Sequence, residues 1–345
     1  MKDRSRMPTL LFRVVLSVLM VGCIIAIPNG ARCADNIRAL HLVLRAITVD
    51  DVKRIVDLSS SNGFNMVIIS IADAVRLKSM PWVKGSSTWS VQQFIDIVTY
   101  AHHKKLAVVP EVKLLSHQEI FFGNVSPSLM YNDLTYDPRN DEVYAKVFPV
   151  LDEIVELIHP KAIHIGHDEI SGWQFKNKIG RVGLVQLRKD EQAMPADLFL
   201  KDVRRVHAHL KKRNIQTWIW GDMLLSPEEF PQMLDKHLHG TLPGYGKSLR
   251  QKLPRDVVIC DWHYFDRQPD FPSLREFRQE GYRVLGATWK TTETIRNFSS
   301  YAATNGASGM IATTWFHVQR KEWDVVERII RESGAIFLKD FPDAK

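Results

Sequence analysis

The sequence predicts an α/β protein folded as a (β/α)8 TIM barrel. Three observations carry that expectation. Eight short apolar or β-branched runs recur from residue 37 onward, and amphipathic stretches separate most of them. The runs are close to continuously apolar, the pattern of a parallel sheet buried on both faces. The chain of 345 residues is long for an ordinary domain but normal for one barrel, and no low-complexity linker divides it. A doubly wound open sheet is the alternative, but no glycine-rich phosphate loop follows the first run.

Taken in order, the runs are IRALHLVL (37–44), FNMVIIS (64–70), LAVVPEV (106–112), AIHIGHDE (162–169), TWIWGDM (217–223), DVVICDWHY (256–264), YRVLGATW (282–289) and GMIATTW (309–315). The stretch at 49–63 sets Val52, Ile55, Val56 and Ser59 on one face and stops at Asn62-Gly63. The stretch at 90–105 opens on Ser90 as N-cap, with Val91, Phe94, Ile95 and Val98 at helical spacing. The stretch at 142–160 ends at a proline and carries Pro149 inside, which predicts a kink. Helical patterns at 196–214, 273–281, 291–306 and 322–334 complete the alternation. Two connections are long, 71–89 and 113–141, and long loops after barrel strands usually build the active face.

Residues 1–34 read as a signal peptide, and residues 35–345 as the single barrel. Lys2, Arg4 and Arg6 make a basic start, Val14 to Ile27 is apolar, and small residues near Cys33 and Ala34 offer a cleavage site. An uncleaved membrane anchor is the alternative, since Leu10 to Ile27 could nearly span a bilayer. Cys23 also offers a lipidation site. The segment implies export, periplasmic or secreted. Of the formal charge of +7, four units belong to residues 1–34, so the remainder is too mildly basic to argue for nucleic acid. Contact with a membrane is expected only if the segment is retained. Cys23, Cys33 and Cys260 are the only cysteines, too few for a disulfide framework or a zinc motif. Cys260 reads as a small core residue.

Barrel active sites form where the strands end. Those ends hold Glu111, Asp168, Glu169, Trp220, Asp222, Trp262, Tyr264, Trp289, Lys290 and Trp315. Runs five to eight each finish near a tryptophan, whereas barrel interiors are normally filled by Val, Ile and Leu. Aromatic walls beside carboxylates suit a sugar: the C–H faces of the pyranose stack on rings, and a carboxyl supplies the general acid that a glycosidic oxygen needs. Asp168 and Glu169 are adjacent, and adjacent strand residues point to opposite faces. They cannot face each other as acid and nucleophile unless the strand end turns. A tandem pair fits two contacts to one substrate, one holding a substituent and the other protonating the leaving group.

The segment IHIGHDE resembles the His-x-Gly-Gly-Asp-Glu motif of glycoside hydrolase family 20, the β-N-acetylhexosaminidases. VVPEVKLLSH (108–117) is similar to that family's Pro-Glu-Ile-Asp-x-Pro-Gly-His, IRALHLVLRAITVDDVKRIVD to its first strand and helix, and DWHYFD (261–266) to a later substrate-binding Tyr-x-Asp. The resemblance implies a glycosidase acting on 2-acetamido sugars by substrate-assisted, retaining hydrolysis. Asp168 would orient the acetamido group and Glu169 would serve as general acid, then base. Arg38, Glu111, His117, Trp220, Asp222, Trp262, Tyr264, Trp289 and Trp315 would bind substrate, with Asp266 a weaker match. The implied partner is an amino-sugar glycan or glycoconjugate, with no metal or organic cofactor. Three departures stand out. His167 replaces the second glycine and is expected to add bulk beside the catalytic pair. Lys113 stands where the family has Asp, and Leu115-Ser116 replaces Pro-Gly.

Two rival readings remain open at this stage. A non-catalytic carbohydrate-binding barrel would keep the tryptophan wall and lose the acid chemistry. A metal-dependent hydrolase would use His164, His167, Asp168 and Glu169, but the first run offers only His41 where such barrels want His-x-His. The leader reading makes its own prediction: mature protein recovered from the envelope or the medium should begin near residue 34. N-terminal sequencing that finds Met1 on soluble exported protein would refute it.

Overall fold

The computed structural model of the protein describes residues 36–71, 73–82, 89–123, 126–132, 134–170, 194–240 and 242–343. The segment read as a signal peptide or anchor, with Cys23 and Cys33, lies outside them. Among the described residues no helix is long and apolar enough to cross a membrane.

Eight parallel strands close into a barrel in chain order. They are β1 (Ile37–Val43), β2 (Met66–Ser70), β3 (Ala107–Leu114), β4 (Ala162–Gly166), β5 (Gln216–Trp220), β6 (Val258–Trp262), β7 (Arg283–Thr288) and β8 (Gly309–Thr313). Around them lie α1 (Val49–Ser61), α2 (Val91–His103), α3 (Asp141–Ile158), α4 (Ala196–Lys211), α5 (Tyr245–Lys252), α6 (Pro272–Gln279), α7 (Thr292–Thr304) and α8 (Trp323–Asp340). All eight runs become strands. The helix missed in the sequence is α5, a short and largely polar element entered through Gly244 in the left-handed region. Its weak apolar period hid it.

Two apolar layers hold the barrel. Ile37, Ala39, Ile68, Val109, Trp218, Val258, Cys260, Leu285 and Ile311 fill the interior, and Leu40, Val67, Ile163, Ile219, Ile259 and Val284 point outward to the helices. Alternation along each strand divides the two sets. Cys260 is free and buried, as a small core residue should be.

Both early helices start on capping boxes. Thr48 caps α1 with Asp51, and Ser90 caps α2 with Gln93; each N-cap stabilises by about 1 kcal/mol. The buried face of α1 is the expected one. That of α2 is rotated: Phe94, Ile97, Val98 and Ala101 are buried, while Val91 and Ile95 lie at its margin. Pro149 lies inside α3, which ends with His159 in the left-handed region just before Pro160.

One irregularity positions the site. Between β3 and β4, Glu111 pairs with His164 and Leu114 with Gly166, so three steps on β3 match two on β4. A bulge of this kind re-aims the side chains beyond it. Closure depends on the seam between the first and last strands, where Ile37 of β1 pairs with Gly309 of β8. Gly309 has φ +147°, and a Cβ there would overlap the Ile37 carbonyl. Gly309→Ala should therefore force the seam apart and cost about 1–3 kcal/mol. A thermal midpoint equal to that of the wild type would contradict this.

Candidate active site

The chain solves the problem of two adjacent carboxylates by turning sharply after β4. Gly166, His167 and Glu169 have φ of +75°, +65° and +48°. A left-handed residue other than glycine is uncommon and must be held in place. His167 supplies that hold. Its Nδ1–H donates to the Ile165 carbonyl at 3.0 Å, and its Nε2 lies 2.7 Å from Asp202 of α4. The Tyr136 and Tyr144 hydroxyls donate to the same carboxylate at 3.0 and 2.6 Å. His167 therefore points away from the pocket, and the bulk expected beside Asp168 and Glu169 is absent. Gly166 packs on the Lys113 backbone, where a Cβ would come within 3.3 Å of the Lys113 Cα.

The turn after β3 is built in the same way. Leu115 and His117 have positive φ, and the Gln118 amide donates to the Lys113 and Ser116 carbonyls at 2.8 and 2.7 Å. This aims His117 at the pair: its Nε2 lies 3.3 Å from Asp168 Oδ2 and 3.7 Å from Glu169 Oε2.

The two carboxyls differ electrostatically. Burial pushes Asp168 up, but the neighbouring His117 and Lys113 charges pull harder, and the carboxyl lies well below its ordinary range. Burial pushes Glu169 up too. Asp168 adds to that push, and His239 and His117 offset it only in part, so the group stays raised. Burial disfavours the His117 imidazolium, yet Asp168 raises it above the ordinary value. Near-neutral pH thus favours an ionised Asp168 beside a Glu169 that keeps its proton longer than an ordinary glutamate.

Asp168, Glu169 and His117 open into a pocket of about 780 Å³ walled by Trp220, Trp262, Tyr264, Trp289 and Trp315. Trp262 and Tyr264 stack with centroids 4.8 Å apart, and Trp315 lies 6.0 Å from Trp220 and 6.2 Å from Tyr264. Lys113 sits over Trp315 with its Nζ 5.4 Å from the ring. The Tyr264 hydroxyl is buried near the Trp315 and Thr313 side chains.

Two residues expected to touch substrate lie beneath the surface instead. Asp222 accepts from the Glu169 backbone N–H at 2.8 Å and the Trp262 indole at 3.1 Å, and it contacts His239 Nδ1 at 2.7 Å. It positions Glu169 rather than lining the cavity. Glu111 is fully buried, 3.0 Å from His41 Nε2, and accepts from the Trp220 indole at 3.1 Å. Burial opposes its charge, but His41, His164 and Lys113 hold it well below the ordinary range. Asp266 also turns away: its Oδ2 lies 2.6 Å from His263 Nδ1 and 2.8 Å from His237 Nε2, behind Trp262.

Arg38 requires a correction. It sits at the opposite end of β1, where its guanidinium donates to the Phe341 carbonyl at 2.7 Å, bonds the Gly63 carbonyl and pairs with Asp343 at 2.6 Å. A strand of seven residues separates the two mouths of the barrel, so Arg38 does not reach the pocket. The arginine at the pocket is Arg45, just past β1, with its Nε 2.9 Å from Asp73. The rule applied to the other strand ends would have found it. His239, Lys236, Phe265, Phe316 and Gln319 also line the pocket; they come from irregular loops that carry no periodic signal.

The metal set considered from sequence is dispersed, because His167 faces Asp202 and His164 bonds the Gly166 N–H at 3.1 Å. Among the described residues, His117, Asp168 and Glu169 form one cluster with metal-ligand spacing, and His237, His263 and Asp266 form another.

A closed parallel barrel with an acid pair at the end of β4 and an aromatic wall from β5 to β8 defines a glycosidase-type site. The model of the glycosyl hydrolase family 20 catalytic domain matches residues 47–331, and the chain belongs to that family. Solved structures agree on the fold. The β-N-acetylhexosaminidase of Bacteroides fragilis is 18% identical with a TM-score of 0.62, over 87% of this chain and 65% of that one. A mutant Streptomyces plicatus β-hexosaminidase in complex with its product GlcNAc is 15% identical with a TM-score of 0.62, over 87% and 63%. Dispersin B is 15% identical with a TM-score of 0.56, over 86% and 97%. The chain thus spans less than two thirds of the first two proteins and nearly all of the third.

The contact between His117 and Asp168 can be tested directly. Asp168→Asn removes the charge that raises His117 and leaves its burial, so the imidazole pKa should fall below that of wild type. A His117 titration followed by NMR that does not move would contradict the pairing.

Proposed function

We propose that the chain hydrolyses terminal or internal 2-acetamido glycosides with retention, using the acetamido group of the substrate as nucleophile. One observation carries the reading: two neighbouring carboxylates enter one aromatic pocket with their proton affinities driven apart. Environments that separate two acids assign their roles. Anionic Asp168 holds the acetamido N–H and steadies the positive charge that develops there. The acetamido oxygen bonds to the anomeric carbon as the glycosidic C–O bond breaks, and Glu169 delivers its proton to the departing oxygen. The intermediate is an oxazolinium ion, a known exception to the scheme with two enzymic carboxylates. Glu169, now a carboxylate, takes a proton from water, whose oxygen attacks the same carbon and reopens the ring.

In this reading Trp220, Trp262 and Trp315 enclose the sugar and its acetamido methyl, and the Tyr264 hydroxyl donates to the acetamido oxygen. Arg45, rather than Arg38, takes sugar hydroxyls at the mouth. Asp222 and Glu111 act through their neighbours: Asp222 fixes the Glu169 backbone, and Glu111 fixes the Trp220 ring. With the leader read above, the enzyme would work outside the cytoplasm.

Kinetics on paired 2-acetamido and 2-hydroxy aryl glycosides test the mechanism. Glu169→Gln should lose about 10²–10⁴ in rate, with less loss for good leaving groups that need little protonation. Asp168→Asn should be impaired even with a good leaving group. Activity should fall as pH rises through the raised Glu169 value, because the proton it must donate is then gone; on the acid side it should fall as Asp168 is neutralised, the pair titrating jointly. Equal rates on the two substrate classes would defeat substrate assistance. Sugar binding without turnover would favour a binding protein, and activity that depends on added zinc would favour a metal hydrolase built on His117, Asp168 and Glu169.

A further inference from the structure

The outer rim of the pocket repeats one arrangement three times. Phe265, Trp289 and Phe316, from the loops after β6, β7 and β8, form a row with ring centroids 6.2 and 5.4 Å apart. Each ring carries a cation: Lys236 Nζ is 3.2 Å from the Phe265 centroid, Lys290 Nζ 4.3 Å from Trp289, and Arg320 Cζ 3.8 Å from Phe316. The two phenylalanines are among the most exposed large apolar side chains described, at 41% and 38%. Exposed aromatics at the mouth of a cavity mark a binding surface rather than a core.

Three cations along this row share two carboxylates, Glu322 and Asp266. Glu322 lies within electrostatic reach of both Lys290 and Arg320 and also bonds His317 Nδ1, so one carboxylate serves two cations. Asp266 acts on Lys236 and is also bonded by His237 and His263. Burial lowers the Lys236 ammonium below its ordinary value, as expected of a cation that loses water without a full counter-charge. A neutral sugar would stack on the rings and leave the cations as they are. A sugar that also carries an anion would satisfy both.

We propose that the rim binds the part of the substrate beyond the 2-acetamido residue, and that this part is an acidic saccharide bearing carboxylate, sulfate or phosphate. The proposal rests on the glycosidase reading above and names its substrate class. Sugar rings lie along Phe265, Trp289 and Phe316, and the anionic substituents meet Lys236, Lys290 and Arg320. Both cation–π contacts and exposed ion pairs are individually weak, so the preference comes from several acting together and is sensitive to salt.

The test compares three disaccharides with the same 2-acetamido sugar and different leaving sugars: glucose, glucuronate and glucose 6-sulfate. At low ionic strength kcat/KM should favour at least one acidic substrate over the neutral one by about tenfold. The ratio should collapse toward one in high salt and in the double variant Lys290→Ala with Arg320→Ala. The two acidic arms separate carboxylate from sulfate recognition. Equal kcat/KM on all three substrates at low salt would overturn the proposal, and so would an acidic preference that survives the double variant. The same comparison read as binding to Glu169→Gln, by intrinsic tryptophan fluorescence, does not depend on turnover. Acidic preference in binding without hydrolysis of any substrate, a neutral aryl 2-acetamido glycoside included, would sink the glycosidase reading and keep the rim. Hydrolysis of the aryl glycoside without acidic preference would do the reverse.

Discussion

The site depends on one geometric constraint: two consecutive residues just past the end of β4 must deliver carboxylates to the same pocket. A regular strand would send Asp168 and Glu169 to opposite faces. The chain leaves the strand at Gly166 and places three of the next four residues, counting Gly166 itself, in the left-handed region. Each such non-glycine residue costs of order 1–2 kcal/mol, so the turn must be held from outside. α4 holds it through Asp202 and His167, the loop after β5 holds it through Asp222 and the Glu169 N–H, and the loop after β3 brings His117 to the two acids. Much of the buried polar structure at this end of the barrel serves that single turn.

The same framework solves an electrostatic problem. Two buried carboxylates side by side would normally both resist ionisation. Here the cations are unevenly shared. His117 and Lys113 outweigh burial at Asp168, whereas at Glu169 His239 and His117 only partly offset burial and the repulsion of Asp168 and Asp222. Lys113, a departure from the family pattern, lowers Asp168; it sits over Trp315, and its backbone lies against Gly166. A cation at that position widens the difference in proton affinity between the two carboxyls.

The fold was largely legible because apolar periodicity reports burial. Eight runs became eight strands, and the tryptophans that ended four of them face one cavity. What sequence could not report was side-chain direction once the chain leaves regular structure. Arg38 near the start of β1 and Arg45 just past its end belong to opposite mouths by chain direction alone; the strand-end rule pointed to Arg45, and the resemblance drew attention to Arg38 instead. His167 looked like added bulk in the site because nothing in the motif shows its φ of +65° or its partner Asp202, 35 residues away. Asp222 follows the end of β5, but Glu111 lies within β3, which runs on to Leu114, and both lie one layer below the cavity. His239 escaped notice because an irregular loop places it, and α5 because a short polar helix has almost no apolar stripe.

Chemistry and recognition are therefore held by different parts of the barrel. The acid pair depends on β3, β4 and α4, where buried hydrogen bonds fix backbone torsions. The aromatic wall and rim depend on the loops after β5 to β8, and those loops are tied by a separate cluster. Asp266 joins His237 of one loop to His263 of the next, directly behind Trp262. Burial opposes charge on both imidazoles. His263, flanked by Asp261 and Asp266, is nonetheless raised to about 9, while His237 falls to about 4. One charged and one neutral histidine thus share a carboxylate, and the wall is fixed without drawing on Asp168 or Glu169. The rim loops and the turn after β4 are thus tied by separate hydrogen-bond networks.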